Sequence, residues 1–133
     1  MGLKGMLLLG HGSTLPYNKD LVEHTAELIA KRSSEYIVKC GFLNMNTPTV
    51  GDALNAFKSE NIESIVVVPL FLAKGVHILK DIPELIGFAE GQTKGTFNLN
   101  GKTIPMVYAD PIGIDPLLAD LMIKNAAKAL QNI

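Results

Sequence analysis

The sequence has no tryptophan, one cysteine and one arginine, and these shortages exclude several classes of protein. The single cysteine, Cys40, rules out the internal disulfide framework on which small secreted domains depend. Three tyrosines, five phenylalanines, no basic run and a net charge of −1 argue against nucleic-acid binding. No apolar stretch reaches the roughly 18 residues that a membrane-spanning helix needs. We therefore expect a cytoplasmic protein that binds neither nucleic acid nor membrane.

The chain is rich in apolar residues. Apolar residues make up 47% of its 133 positions, and charged residues make up 19%. A chain of this length removes roughly two-thirds of its unfolded surface from water when it folds. The composition predicts a single α/β domain over residues 1–133 with a well-covered sheet.

The segment from Ile65 to His77 is the centre of the predicted fold. Ile65 to Val68 form an apolar, β-branched run without polar alternation, which is typical of a strand buried on both faces of a parallel sheet. Pro69 cannot donate to a sheet ladder, so the strand should end there. His77 then follows a loop that contains Gly75. Ligands bind at this carboxyl-terminal edge in open α/β sheets, so His77 is a candidate site residue.

Hydrophobic periodicity and capping signals divide the chain into alternating strands and helices. Four strands are predicted over Met6–Leu9, Tyr36–Phe42, Glu63–Val68 and Ile104–Tyr108. Four helices are predicted: one from about Tyr17, one over Pro48–Ser59 capped by Thr47, one over Asp81–Phe88, and one over Pro116–Leu130 capped by Asp115. In the third helix we expect Asp81 to be the N-cap and Glu84 its capping partner. In the fourth we expect a buried face of Leu117, Leu118, Leu121, Met122 and Ala126.

Residues 89–103 interrupt this alternation. The segment from Phe97 to Ile104 alternates in polarity and contains Asn100-Gly101, the strongest short signal for a hairpin turn. The predicted fold is therefore α/β: a four-stranded, mostly parallel sheet of order 2-1-3-4 flanked by helices, with a small β-hairpin insertion before the last strand.

A second histidine, His11, follows the first predicted strand in the loop Gly10-His11-Gly12-Ser13-Thr14. This loop matches neither the Walker phosphate-binding pattern nor the dinucleotide fingerprint. The predicted strand order brings His11 and His77 to one crevice, although they lie 66 positions apart. Two neutral imidazoles form an incomplete ligand set suited to cobalt or nickel and compatible with iron, and they can also accept protons near neutral pH.

Two motifs carry a resemblance to a known family. Leu9-Gly10-His11-Gly12-Ser13 with the following Leu15 to Lys19, and Val67-Val68-Pro69-Leu70-Phe71-Leu72-Ala73 with Gly75, His77 and Asp81-Ile82-Pro83, are similar to the short archaeal sirohydrochlorin chelatases. The similarity extends over Pro48-Thr49 and Pro111-Ile112-Gly113, and so covers nearly the whole chain. The family belongs to the class II chelatases and has a chelatase-like fold.

The resemblance implies insertion of Co²⁺ or Ni²⁺ into sirohydrochlorin, in cobalamin or methanogen nickel-tetrapyrrole synthesis. It implies that His11 and His77 bind the metal and assist deprotonation of the pyrroles. It also implies a homodimer with the tetrapyrrole in its cleft, and no permanently bound cofactor, because the metal is a substrate. The substrate-binding residues that it implies are Gly12, Ser13, Asn44, Leu72, Ala73, Lys74, Gly75 and Val76. Because the macrocycle carries eight carboxylates, we expect Lys19, Lys74, Lys80 and the amide groups of Gly12 and Ser13 to anchor them.

The sequence departs from the family's pattern in two places. Many relatives have a glutamate where this chain has Asn44, which cannot act as a base. Some short relatives have a histidine-rich segment where residues 89–103 contain no histidine.

Two other functions remain open at this point. The chain could bind a tetrapyrrole or metal and pass it on without catalysis. Less consistent with the sequence is phosphoryl transfer through His11, since the one arginine, Arg32, is not beside that loop.

Overall fold

The computed structural model describes residues 2–133, and five strands form one sheet within that range. The strands are β1 (Leu3–Gly10), β2 (Tyr36–Phe42), β3 (Ile62–Pro69), β4 (Lys94–Leu99) and β5 (Lys102–Tyr108). The helices are α1 (Tyr17–Arg32), α2 (Val50–Ala56), α3 (Ile82–Leu85) and α4 (Pro116–Leu130). A 3₁₀ turn (Phe57–Ser59) follows α2, and a π-helical turn (His77–Asp81) leads directly into α3.

The sheet order is β2-β1-β3-β5-β4, and the first four strands are parallel. This confirms the predicted order 2-1-3-4 with β5 as the fourth strand. The predicted number of four strands is wrong, because the first arm of the hairpin pairs antiparallel with β5 from Lys94 to Leu99 and becomes the edge strand β4. The turn between the arms contains Asn100 and Gly101, both with positive φ, as the hairpin signal predicts.

Apolar side chains cover the two faces of the sheet unequally. In the larger core, Leu7, Val67 and Met106 of the sheet pack together with Phe57 of the 3₁₀ turn and Ile82 of α3. The smaller core lies on the opposite face, where α1 contributes Val22 and Ala26 against Leu8 and Phe42. On that second face the strip over β5 stays open, since Val107 is 38% exposed.

The start of α2 differs from the sequence prediction. The helix begins at Val50, and its N-cap is Thr49 rather than Thr47. The Thr49 hydroxyl accepts from the Asp52 amide, and the Asp52 carboxylate accepts from the Thr49 amide. This reciprocal capping box is a stronger start signal than the proline two residues earlier, which explains the shift.

The start of the third helix was predicted too late, whereas that of α2 was predicted too early. Its first turn starts at His77, four residues before the predicted N-cap, and has π-helical geometry: the Ile82 amide donates to the His77 carbonyl oxygen. Asp81 is in the helical conformation and makes no capping hydrogen bond, and neither does Glu84. The prediction that these two residues form a cap is therefore wrong.

Helix α4 has the predicted bounds and cap, but not the predicted buried face. The Asp115 carboxylate accepts from the Leu117 amide at 2.9 Å. None of the helix residues is buried in the described part of the chain, and Leu117 and Met122 are 67% and 57% exposed. The apolar pattern of this helix is present in the sequence, yet a single copy of the chain does not cover it.

Candidate functional site

The structure brings His11 and His77 into direct contact. His11 follows the last residue of β1, and His77 begins the π-helical turn that follows β3. Their Nε2 atoms lie 3.1 Å apart, and the ring centroids are 4.6 Å apart at an interplanar angle of 68°. The contact forms because β1 and β3 are adjacent and parallel, so both strands deliver their following residues to the same edge.

The other ring nitrogens fix the tautomer of each histidine. His11 Nδ1 lies 2.9 Å from the Gly12 carbonyl oxygen, and His77 Nδ1 lies 2.7 Å from Asp81 Oδ2. Carbonyl and carboxylate oxygens only accept hydrogen bonds, so each Nδ1 carries the proton and donates it. Each neutral ring therefore has its lone pair on Nε2. Two lone pairs this close together favour a cation that both nitrogens can contact.

The loop that carries His11 is held by two asparagines that the sequence analysis did not single out. Asn18 Oδ1 accepts from the Gly12 amide at 2.8 Å, and Asn46 Oδ1 accepts from the Ser13 amide at 2.9 Å. Gly12 has φ +86°, and a Cβ there would lie 1.8 Å from the Asn44 carbonyl oxygen. The close neighbour of Gly12 is thus the chain's own backbone, which leaves no room for a side chain.

These contacts bear on the proposal that the Gly12 and Ser13 amides bind a substrate carboxylate. Both amides already donate to asparagine side chains. The Ser13 hydroxyl oxygen accepts from the Leu15 amide and keeps its own proton free to donate. A carboxylate at this loop would therefore meet the Ser13 hydroxyl before it meets either amide.

An open cleft of about 290 Å³ lies beside His77. Its lining residues are Leu43, Asn44, His77, Asp81, Glu84 and Leu85. Asn44 supplies the amide where the resemblance leads one to expect a carboxylate. The carboxylates at this cleft come instead from Asp81 and Glu84 of the same helical segment.

The turn that carries His77 is tied to the last parallel strand. The Tyr108 hydroxyl of β5 donates to the Ile78 carbonyl oxygen at 2.8 Å. Burial, together with the charge of Asp110, raises the pKa of Tyr108 to about 12, so this phenol keeps its proton at any physiological pH. Phe71 also lies near the pair, with its ring centroid 6.4 Å from that of His11 and 6.2 Å from that of His77.

The remaining predicted site residues lie around the pair at different distances from it. Leu72, Ala73, Gly75 and Val76 form an exposed loop that leads into His77. Lys74 lines two cavities on the side of Asp110, away from the Asn44 cleft. Lys80 is exposed on the π-helical turn and Lys19 is half-buried on α1. The structure gives no hydrogen bond between either lysine and the histidine pair.

The two histidines form an incomplete ligand set for a metal ion. In the described range 2–133 no cluster of three or more His, Cys, Asp or Glu side chains is arranged as a metal cage. Two imidazoles leave most coordination positions of an ion open, which suits a metal that is to be transferred.

No helix within residues 2–133 has both the length and the apolar character required to cross a bilayer.

Known proteins match this chain over nearly its full length. The CbiX family model matches residues 5–129. The sirohydrochlorin cobaltochelatase of Methanosarcina barkeri is 45% identical over 126 residues, which cover 95% of this chain and 96% of that protein. The CbiX cobalamin biosynthesis protein of Marinobacter aquaeolei superposes with a TM-score of 0.69 at 25% identity, covering 98% of this chain and 99% of that one.

A solved structure of a longer protein also matches. The sirohydrochlorin chelatase SirB of Bacillus subtilis, in complex with cobalt, superposes with a TM-score of 0.70 at 28% identity. The match covers 86% of this chain and 45% of the SirB chain. The chain therefore corresponds to about half of that protein.

Proposed function

This chain belongs to the CbiX family, and we propose that it is a metal chelatase that inserts Co²⁺ or Ni²⁺ into sirohydrochlorin. The observation that carries the proposal is the pair of Nε2 atoms 3.1 Å apart at the open edge of the sheet. The 45% identity to a sirohydrochlorin cobaltochelatase supports the substrate and the reaction type.

The proposed reaction has a simple balance. One divalent ion enters the macrocycle, two pyrrole N–H bonds break, and two protons leave. His11 and His77 hold the ion and accept protons as the pyrrole nitrogens replace them as ligands. No electron is transferred, and the metal keeps its charge.

The distance between the rings supports a shared ion. Two nitrogens 3.1 Å apart can each lie about 2.1 Å from one metal ion, with an angle of about 95° between the bonds. This is close to the angle between neighbouring ligands in octahedral or square-planar coordination. Both geometries occur for nickel and cobalt with nitrogen ligands, so the pair suits either ion.

The exposed loop before His77 is the proposed binding surface for the macrocycle. Leu72 and Val76 are 65% and 67% exposed, which is unusual for apolar side chains unless a ligand or partner covers them. Ala73 has a small side chain and Gly75 has none, so neither obstructs the surface of the loop. Lys74 supplies a positive charge for a substrate carboxylate. Gly12, Ser13 and Asn44 border the opposite side of the histidine pair.

We also propose that the working form is a homodimer, in which α4 of each chain covers apolar surface of the other. Leu117, Met122 and Ile123 are 67%, 57% and 68% exposed, and a helix this apolar is normally buried. The open strip at Val107 on the α1 face of the sheet provides apolar surface of the same kind. Parallel sheets are almost always covered on both faces. We therefore expect a partner chain to cover both the apolar face of α4 and the strip at Val107.

The size of the cleft supports the same assembly. At about 290 Å³, the cleft beside His77 is just below the range of roughly 300–1,000 Å³ that is typical of sites for drug-sized ligands. A tetrapyrrole with eight carboxylates is larger than such ligands and needs a second wall. SirB, which this chain matches over about half its length, has the additional chain length for such a wall within one polypeptide.

The test is the absorbance of sirohydrochlorin with substoichiometric protein and either Co²⁺ or Ni²⁺. We expect faster metallation than in the protein-free control, lost in His11→Ala and in His77→Ala. His24→Ala is the matched control, because His24 lies on α1 and its Nδ1 donates to the Asp20 carbonyl oxygen. A purely stoichiometric spectral shift would support a carrier instead, and full activity in the two site variants would refute the mechanism.

A further inference from the structure

The two histidines of the pair have different partners at Nδ1, and this difference has a chemical consequence. His11 donates to a neutral backbone carbonyl, whereas His77 donates to a carboxylate. We infer that Asp81 is a positioning residue that makes His77 the stronger metal ligand of the pair. The inference rests on the proposed function, because it concerns the same metal.

The contact between His77 and Asp81 is built into the helical turn. The two residues are four positions apart, on the π-helical turn that runs from His77 to Asp81. A helical turn places side chains at this spacing on one face, so Asp81 approaches His77 from its own segment and needs no other element. The side chains are 42% and 41% exposed, so they lie at the cleft rather than in the core.

Within residues 2–133, the Asp81 side chain makes no hydrogen bond besides the one to His77. It lies where the sequence suggests a helix cap, yet its side chain makes no capping hydrogen bond. Its Oδ2 instead accepts from His77 Nδ1 at 2.7 Å, a length typical of a charge-assisted bond. The carboxylate thus serves the histidine, not the helix terminus.

Such a carboxylate affects the ring in two ways. It holds the proton on Nδ1, so the lone pair stays on Nε2, the nitrogen that is nearest to His11. It also increases electron donation from Nε2 to a metal, as in carboxylate–histidine–metal arrangements, where loss of the carboxylate typically weakens metal binding 10- to 100-fold. The partner of His11 is a carbonyl oxygen, which carries no full charge. It also holds the proton on Nδ1, but it increases electron donation from Nε2 less than a carboxylate does.

A division of labour follows from this asymmetry. His77 holds the incoming ion more firmly, and His11 releases it first when a pyrrole nitrogen takes its place. The two-step transfer leaves the ion bound to protein through one strong ligand while the macrocycle gains its first bonds.

The experiment compares wild type with Asp81→Asn and with Glu84→Gln, by titration with Co²⁺ alone and by nitrogen NMR of the histidine rings in the metal-free protein. Glu84 is the matched control, since it lines the same cleft on the same segment and makes no hydrogen bond to His77. We expect Asp81→Asn to weaken Co²⁺ binding 10- to 100-fold and to reduce the Nδ1–H population of His77, leaving His11 unchanged. Glu84→Gln should match wild type in both measurements.

The outcomes separate this inference from the proposed function. If wild type binds Co²⁺ and metallates sirohydrochlorin while Asp81→Asn does so equally well, the positioning role is wrong and the chelatase proposal stands. If wild type neither binds nor metallates, the chelatase proposal fails, and the ring NMR still reports whether Asp81 sets the tautomer of His77. An Asp81→Glu variant checks the geometry, because a restored carboxylate should recover part of the lost affinity.

Discussion

The hydroxyl of Tyr108 donates to the carbonyl oxygen of Ile78 at 2.8 Å, which joins strand β5 to the turn that carries His77. Sheet and site are thereby connected by a side chain from a strand that contributes no ligand. The backbone that orients His77 is anchored from one side by this bond and from the other by the buried side chain of Ile78.

We predict that Tyr108→Phe lowers the free energy of unfolding at neutral pH by about 1 kcal/mol, through loss of that hydrogen bond. Its pH dependence should also change. The pKa of Tyr108 is raised to about 12 in the folded protein, against about 10 for a tyrosine in an unfolded chain. Above pH 10 the unfolded state loses this proton before the folded state does, so wild-type stability falls as pH rises.

Urea denaturation at pH 7.5, 9.5 and 10.5 tests both statements. The difference between wild type and Tyr108→Phe should shrink at the highest pH, because the variant lacks the titrating phenol. A stability difference that stays constant over the three pH values would show that Tyr108 is not the cause of the fall in wild-type stability at high pH.

Gly12→Ala should disturb the His11 loop, whereas Gly75→Ala should not. Gly12 has φ +86° and a new Cβ would overlap the Asn44 carbonyl oxygen; Gly75 has open space around its Cα. We expect Gly12→Ala to cost about 1–3 kcal/mol and to displace His11. Denaturation midpoints and Co²⁺ affinity measure the two effects, and equal behaviour of the two variants would show that the close approach at Gly12 is unimportant.

Asn18→Ala should weaken the loop by a different route. Gly12 is buried, and its amide would lose the acceptor that it has 2.8 Å away. An unpaired buried amide costs about 1–3 kcal/mol. Asn18→Asp keeps an acceptor at the same place and should retain most of the stability, so a loss of equal size in both variants would point to packing rather than to the hydrogen bond.

A charge on α4 should separate the proposed dimer. We predict that wild type sediments as a dimer and that Ile123→Lys raises the dissociation constant at least tenfold, because it places a charge on a face that we propose is buried. Lys124→Glu changes a neighbouring polar position and serves as control. Analytical ultracentrifugation over a range of concentrations measures both, and a wild type that is monomeric throughout would end the dimer proposal.

The order of the sheet and the meeting of the two histidines could be predicted from the sequence. Both depend on strong signals: the apolar runs of β1 and β3 place these strands at the centre, and each run is followed by a histidine at the same edge. The hairpin was predicted as well, but its first arm was not recognised as a sheet strand. Lys94 to Asn98 alternate between exposed and half-buried positions, a weak pattern that gains its meaning only from pairing with β5.

The partners of the histidines could not be predicted in the same way. Asp81 precedes Ile82-Pro83, and this combination favours a helix start over a contact with His77. A π-helical turn has no clear sequence signal, so the early start at His77 was missed. Asn18 and Asn46 lie 6 and 33 residues from the loop amides that they accept from, and only the folded chain brings them together. The exposure of α4 concerns the assembly, which the sequence of one chain does not reveal.

The adjacency of β1 and β3 has a consequence for how this site can change over time. Leu9 pairs with Pro69, and neighbouring strands in a sheet lie about 4.8 Å apart. The strand ends that precede the two site segments are thus held together by backbone hydrogen bonds, which do not depend on side-chain identity. Substitutions far from the His11 loop and the His77 turn, such as those at the hairpin, can therefore accumulate without separating the two strand ends from which the site segments begin.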